Sequence, residues 1–196
     1  MDERFDRAVA AIDAANTDDP FTIRVRGVER PKEQAHAELM TEWVLRLDPD
    51  AGEEQLLAAR AHHLRRWAVP RTTYPEGRRG YLRWRRDLQR QHADEVAEIL
   101  GRQGYDDDTT IARVQSIIRK EHLATDPVVQ THEDALCLVF FETQAEDLAG
   151  QLGEEHTIEV LEKTANKMSQ RGIDAALQLD LPSGVRALLE RVVSAP

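Results

Sequence analysis

Two adjacent histidines, His62 and His63, lie near the end of a predicted helix and are followed by two arginines, Trp67 and Pro70. Imidazole is a common ligand of transition metals, and guanidinium groups bind phosphate and carboxylate. A helix that only supplies core side chains has no need of such an ending. The segment therefore points to a metal site or an anion site.

Arginine is concentrated in the same part of the chain. Residues 60–90 contain ten arginines and two acids, a net charge of 10 − 2 = +8, whereas the whole chain has a net charge of −10. A local excess of guanidinium groups can attract and hold a phosphate or a carboxylate. A solvated arginine face, in a chain with only four lysines, is the alternative.

Four titratable residues share a predicted helix face with apolar residues, namely His36, His63, His92 and Asp134. A buried carboxylate without a partner is very costly. One or two divalent ions, Fe, Mn, Zn or Ni, would account for all four residues, because helical bundles hold metals with inward side chains on facing helices. Four independent core polar groups, paired with arginines, are the alternative.

His62 poses a separate question, because it points about 100° away from His63 on an ideal helix. Both histidines can serve one site only if the helix is ending there or if the site is wide. We predict that the helix ends near Trp67, and we include His62 among the candidate metal ligands.

The hydrophobic pattern predicts an all-α fold, a single-domain bundle of about eight helices over residues 1–196. A short extended piece is predicted at 21–25. The predicted helices cover residues 5–15, 31–47, 53–67, 81–101, 109–121, 127–150, 158–168 and 184–193.

Composition narrows the class of protein. No stretch approaches the roughly 18 apolar residues of a membrane span, and the first residues do not read as a signal peptide. The single cysteine, Cys137, lies in an apolar run and is expected in the core. A cytoplasmic protein is predicted, with no membrane partner. The acidic net charge argues against DNA as a partner and makes RNA a minor alternative.

The order of the candidate ligands resembles that of the HD superfamily of metal-dependent phosphohydrolases. The segments that carry this resemblance are Ala35-His36-Ala37, Ala58-Ala59-Arg60-Ala61-His62-His63-Leu64, His92-Ala93-Asp94-Glu95 and His132-Glu133-Asp134-Ala135. The His-Asp pair of that superfamily is His62-His63 here. The resemblance implies an HD-like core over about residues 31–150, with C-terminal helices over 155–194 packing on it.

A closer resemblance, over nearly the full length, is to an uncharacterised family, domain of unknown function 4202. It is carried by Ile12-Asp13-Ala14-Ala15-Asn16, Pro31-Lys32-Glu33, Met40-Thr41-Glu42-Trp43, Ala58-Ala59-Arg60-Ala61-His62-His63, Gly80-Tyr81-Leu82-Arg83-Trp84-Arg85 and Glu133-Asp134-Ala135-Leu136-Cys137. The resemblance implies that His63, His92, Glu133 and Asp134 form a shared polar core. His36 and His62 are then peculiar to this chain.

These observations predict a metal-dependent phosphohydrolase that acts on a small phosphorylated or nucleotide-like substrate. The predicted metal ligands are His36, His62, His63, His92 and Asp134. Glu133 is predicted to be a second carboxylate ligand or the general base. The predicted substrate-binding residues are Arg66, Arg71, Arg79, Tyr81, Arg85, Lys163 and Lys167.

Two alternatives belong to other classes of function. Some HD proteins, such as myo-inositol oxygenase, are di-iron oxygenases, and a histidine-rich site suits iron. The other alternative is a binding module without catalytic activity, in which arginines and aromatic rings recognise a small anion or an RNA end.

Overall fold

The computed structural model describes residues 2–194, most of which lie in helices, so the predicted all-α class is confirmed. The helices are α1 (Glu3–Ala15), α2 (Lys32–Leu47), α3 (Glu53–Ala61), α4 (Gly77–Arg102), α5 (Asp108–Arg119), α6 (Pro127–Thr143), α7 (Ala145–Ala165), α8 (Gln170–Leu177) and α9 (Ser183–Val193). Two short 3₁₀ turns, Arg66–Ala68 and Arg71–Thr73, lie between α3 and α4. The predicted HD-like arrangement stays a prediction.

Polar side chains begin several helices by accepting hydrogen bonds from backbone N–H groups that the helix leaves unpaired. The carboxylate of Asp2 accepts from the Phe5 N–H at 3.0 Å at the start of α1. At the start of α6, Asp126 accepts from the Val128 N–H at 3.0 Å, and Pro127 occupies the first helical position. Such caps and first-turn prolines set where a helix starts.

A β-hairpin precedes α2, whereas the sequence predicted only its first strand. Strand β1 (Thr22–Val25) pairs antiparallel with β2 (Val28–Pro31). The two-residue turn consists of Arg26 and Gly27, which both have positive φ angles, 49° and 83°. That conformation suits a tight hairpin turn but is unfavourable for arginine, so the sequence carries no strong turn signal here.

Three predicted helices have different limits in the structure. Helix α3 ends at Ala61 instead of residue 67, and α4 begins at Gly77 instead of residue 81. The predicted helix over 127–150 is divided between α6 and α7, and α7 is interrupted at Gly153, which has φ 73° and ψ 169°. Helix α8 was not predicted, because its eight residues are too few for a clear apolar period.

The chain divides into two compact units, and the first comprises the chain up to Glu42 together with Asp50–Glu121. Helix α5 packs against α3 and α4, and α1 packs against α3 and α4. Their buried side chains form an aliphatic core, with Leu56, Leu57, Leu88, Val114 and Ile118 as members. This core fixes the end of α3, which His62 and His63 directly follow, and α4, which carries His92.

The second unit comprises Trp43–Pro49 and the chain from His122 onward. Helix α6 packs against α7 and α8, and α9 packs against α7 and α8. Its core includes Leu138, Leu161, Leu189 and Cys137, so the predicted burial of the single cysteine is confirmed. Within residues 2–194, none of the helices combines the length and apolar character that crossing a bilayer requires. The prediction of a single domain stays a prediction.

Replacing Gly172 by alanine should destabilise the protein. A Cβ atom at Gly172 would lie 2.7 Å from Cγ of Asp134, too close for two carbon atoms. We expect G172A to lower the free energy of unfolding by about 1–3 kcal/mol, the usual cost of overpacking a core. Urea unfolding monitored by circular dichroism measures it.

The matched control is G184A, in α9 of the same unit. Nothing lies within 4 Å of a Cβ at Gly184, which is exposed. G184A should be neutral or stabilising by up to about 1 kcal/mol, because alanine favours a helix more than glycine. Equal unfolding midpoints for the two variants would contradict the close approach of α8 to Asp134.

Candidate metal centre

The early end of α3 allows His62 and His63 to face the same side. His62 is the first residue after α3, and Arg65 adopts a left-handed conformation with φ 49°. The Arg65 N–H donates to Oδ1 of Asn16 at 2.9 Å, which holds this turn in place. The two imidazole rings lie 4.7 Å apart between centroids. A continuing helix would have separated them by about 100°.

Helix α2 supplies Glu33 and His36, which are three residues apart and therefore lie on one face of the helix. Glu33 is 4% exposed and His36 is 5% exposed. The backbone N–H of Glu33 donates to Oδ2 of Asp19 at 2.7 Å. This hydrogen bond fixes the first turn of α2 and thereby the position from which the Glu33 side chain enters the interior.

Glu33, His36 and His63 bring three possible metal-ligand atoms to within 4.8 Å of one another. Nδ1 of His63 lies 3.1 Å from Oε2 of Glu33. The rings of His36 and His63 are stacked, with centroids 4.0 Å apart and planes inclined by 30°. Side chains from two separate segments therefore converge on one buried point.

His62 and His92 surround this triad. The ring centroid of His62 lies 6.0 Å from that of His36, and the ring of His92 lies 6.0 Å from that of His63. His92 is 3% exposed and comes from α4. Among the residues that the structure describes, none offers a hydrogen-bond partner to Nε2 of His92. All four histidines predicted as metal ligands thus lie together in the first unit.

Burial dominates the electrostatics of the cluster. Burial raises the pKa of Glu33 to about 7, against the lowering influence of the positive charges of Arg66 and Lys32. Burial, together with the neighbouring histidines and Arg66, holds the pKa of His63 well below its usual value. Burial and the charge of Arg66 lower the pKa of His92 to about 4. Both imidazoles are therefore neutral near pH 7, the form in which histidine binds metals.

Arg66 lies beside the cluster on the short 3₁₀ turn that follows α3. Burial lowers the pKa of its guanidinium, while the charge of Glu33 raises it. Its guanidinium carbon lies 5.1 Å from the centroid of the Trp84 ring. The Trp84 Nε1–H donates to the Val69 carbonyl at 2.9 Å, so the ring beneath Arg66 is itself fixed.

The other predicted substrate-binding residues lie in different surroundings. Arg71 donates to the carbonyls of Tyr74 at 3.0 Å and Pro75 at 2.9 Å, so its guanidinium is already used to hold the loop before α4. Lys163 pairs with Glu159 at 3.0 Å in α7. Three further predicted residues are solvent-exposed, namely Arg79, Tyr81 and Lys167.

Asp134 and Glu133 lie on α6, in the second unit, and both are buried. Oδ1 of Asp134 accepts from the Ser169 N–H at 2.8 Å and from Nε2 of Gln130 at 2.9 Å. Oδ2 accepts from the Ser169 hydroxyl. These bonds at the start of α8 stabilise a buried carboxylate without a metal. The predicted roles of Asp134 as a ligand and Glu133 as a ligand or base stay predictions.

Glu33 is the candidate ligand that the sequence did not single out. Its segment, Pro31-Lys32-Glu33, was noted only as part of the family resemblance. The available signal was its position three residues before His36, which places a carboxylate and an imidazole on the same helix face. A glutamate in the first turn of a helix is usually solvated and favourable there, so nothing in the sequence indicated that Glu33 lies in the interior.

Comparisons with known proteins assign a family. A sequence model with the description Domain of unknown function (DUF4202) matches residues 6–189, nearly the whole chain. No curated protein and no solved structure matches the chain.

The unusual ionisation of Glu33 should be visible in the stability of the metal-free protein. Its pKa is about 7 in the folded state against 4.5 for an ordinary glutamate. The folded state therefore binds more protons between these pH values, and the free energy of unfolding falls as the pH rises through them. The substitution E33Q removes the contribution that the titration of Glu33 makes to the free energy of unfolding. The stability of E33Q relative to the parent protein should rise from pH 5 to pH 8 by on the order of 2 kcal/mol.

Urea unfolding in the presence of a chelator, at pH 5, 6, 7 and 8, measures this difference. E98Q is the control, because Glu98 is an exposed glutamate of α4 with its carboxylate paired to Arg102. A difference between E33Q and the parent protein that stays constant with pH would show that Glu33 is not buried as described.

Proposed function

We infer, for a chain that belongs to the family Domain of unknown function (DUF4202), that it is a metal-dependent hydrolase acting on a small phosphorylated substrate. Glu33, His36 and His63 are proposed to hold the metal. The observation that carries this proposal is the convergence of their three donor atoms within 4.8 Å at a point where both residues from α2 are buried.

The donor set fits a divalent transition metal. Two imidazoles and one carboxylate are the protein ligands of several catalytic zinc sites, which leave a position open for water or substrate. Donors about 2.0–2.2 Å from one ion lie roughly 3–4 Å from each other. The 3.1 Å between Nδ1 of His63 and Oε2 of Glu33 is within that range. The three donor atoms all lie within 4.8 Å of one another, and small side-chain rotations would bring them to the separation that one ion requires.

Protonation states favour binding as well. The low pKa of His63 leaves its nitrogen lone pair available near pH 7, so a metal has no proton to displace there. Glu33, with a pKa of about 7, would lose its proton to become an anionic ligand. Metal binding would thus give this buried carboxylate the positive partner that it otherwise lacks at contact distance.

A metal bound at this site would supply Lewis-acid polarisation of a phosphoryl oxygen and a more acidic water. The protein supplies the remaining charge. The positive charge of Arg66 is close enough to shift the pKa of both Glu33 and His63. The same charge would therefore attract a phosphate bound beside the triad. Guanidinium groups suit this task because they bind phosphate oxygens in pairs.

The same donor set favours a second candidate, an iron-dependent oxygenase. Two histidines and one carboxylate with open positions are the ligand set of non-haem Fe(II) oxygenases. The identity of the bound metal separates the two candidates, because zinc has no redox chemistry. Iron as the only retained metal would favour the oxygenase.

Elemental analysis of tag-free protein is the first test. We expect about one equivalent of a divalent metal per chain, and a loss of more than about 90% of it in E33A and in H63A, because each removes a donor from a three-donor set. H156A is the matched control, since His156 is an exposed histidine of α7, and it should retain the metal. Equal metal content in all four proteins would contradict the proposed site.

Hydrolysis is tested separately on the metal-loaded protein. Release of inorganic phosphate is measured over a panel of nucleotides and sugar phosphates. We expect release by the parent protein that H63A reduces by at least about 100-fold, the usual scale for loss of a group that stabilises transition-state charge. Retained metal with no phosphate release from any substrate, together with oxygen consumption, would favour the oxygenase.

A further inference from the structure

Two half-buried guanidinium groups of the first unit, those of Arg66 and Arg85, have no carboxylate within ion-pair distance among the side chains that the structure describes. Arg66 follows α3 and Arg85 lies in α4. The positive charge of Arg85 contributes to the lowered pKa of Arg66, so the two groups are near each other. The charge of Glu33 also acts on the pKa of Arg66, but among the described side chains Glu33 forms no ion pair with either guanidinium. Two like charges held close together without a contacting anion are an unfavourable arrangement.

Other shielded arginines of the same unit are paired. Arg60 donates from two nitrogens to the two carboxylate oxygens of Asp13, at 2.6 and 2.7 Å. Arg30 forms the same two-bond contact with Glu38, at 2.6 and 2.8 Å. Arg71, which is also half-buried, donates to carbonyls of its own loop. Neither kind of contact is found for Arg66 and Arg85 among the residues that the structure describes.

Aromatic rings hold the two unpaired groups in position. The guanidinium carbon of Arg66 lies 5.1 Å from the centroid of the Trp84 ring, and that of Arg85 lies 5.9 Å from the centroid of the Tyr81 ring. The two rings are neighbours, with centroids 6.0 Å apart. A guanidinium stacked on a ring keeps its N–H groups free to donate at its edge.

We propose that Arg66 and Arg85 together form a binding site for a dianionic phosphate group, so that the substrates of this protein are terminal phosphomonoesters and not internal phosphodiesters. This assignment of substrate class rests on the proposed hydrolase function, whereas the binding of the anion itself does not require the metal.

The charge count sets the preference. A phosphomonoester has a second pKa near 6 and carries close to two negative charges at pH 8. A phosphodiester carries one. Two guanidinium groups can each donate two N–H bonds to phosphate oxygens. A monoester would neutralise both groups, but a diester would leave one of them uncompensated in a half-buried position.

The test compares two esters that differ by one methyl group, phenyl phosphate and methyl phenyl phosphate. Their affinities for chelator-treated protein are measured by calorimetry at pH 8. We expect phenyl phosphate to bind at least about tenfold more tightly, the scale of one additional charge-assisted contact. R66Q and R85Q should each reduce the preference to about threefold or less.

R83Q is the matched control. Arg83 lies two residues before Arg85 in α4, is 67% exposed, and pairs with Asp87 at 3.7 Å. R83Q changes the net charge by the same amount as R66Q and R85Q do, and it should leave the preference for phenyl phosphate intact. Equal affinities of the two esters, no detectable binding of phenyl phosphate, or loss of the preference in R83Q would each overturn the proposal.

The outcome is distinguishable from that of the metal test. A preference for the monoester in protein that never retains a metal would support the anion site and contradict the hydrolase. Near-stoichiometric metal that depends on Glu33 and His63, with equal ester affinities, would support the hydrolase and contradict the anion site. Circular dichroism of R66Q and R85Q confirms that a loss of binding does not arise from unfolding.

Discussion

The contact between Glu33 and His63 is the constraint on which the candidate site depends. It joins the first turn of α2 to the end of α3, at a point where water cannot solvate a carboxylate. Both partners therefore need fixed backbones. Asp19 fixes one by accepting the Glu33 N–H, and Asn16 fixes the other by accepting the Arg65 N–H. Both anchoring residues belong to the segment between α1 and the hairpin, so that segment positions the two sides of the site.

The sequence identified the histidines of the site because a polar residue in an apolar helical stripe is visible without a structure. It placed the end of their helix at residue 67, whereas α3 ends at Ala61, before both His62 and His63. Glu33 was missed because its burial comes from a contact thirty residues away. The hydrogen bonds between Asp134 and Ser169 could not be predicted from the sequence for the same reason. They depend on α8, a helix too short to show a hydrophobic period.

The arginine-rich segment shows a different limit of sequence analysis. The excess of positive charge was evident, but its members have separate roles that only tertiary contacts decide. Arg60 pairs with Asp13, which is 47 residues away, and Arg71 binds carbonyls of its own loop. Arg66 and Arg85 are left stacked on aromatic rings. Composition could predict an anion site in this region, but it could not select the residues that form one.

The triad contains two nitrogen donors and one oxygen donor and has no sulfur. Cys137, the single cysteine, is buried in α6 among apolar side chains. Peroxide converts exposed, low-pKa thiolates to sulfenic acids, whereas imidazole and carboxylate groups do not undergo this reaction. Soft monovalent copper also selects sulfur ligands. A centre built from these three residues would offer peroxide no thiolate to oxidise and would offer copper(I) no soft sulfur ligand.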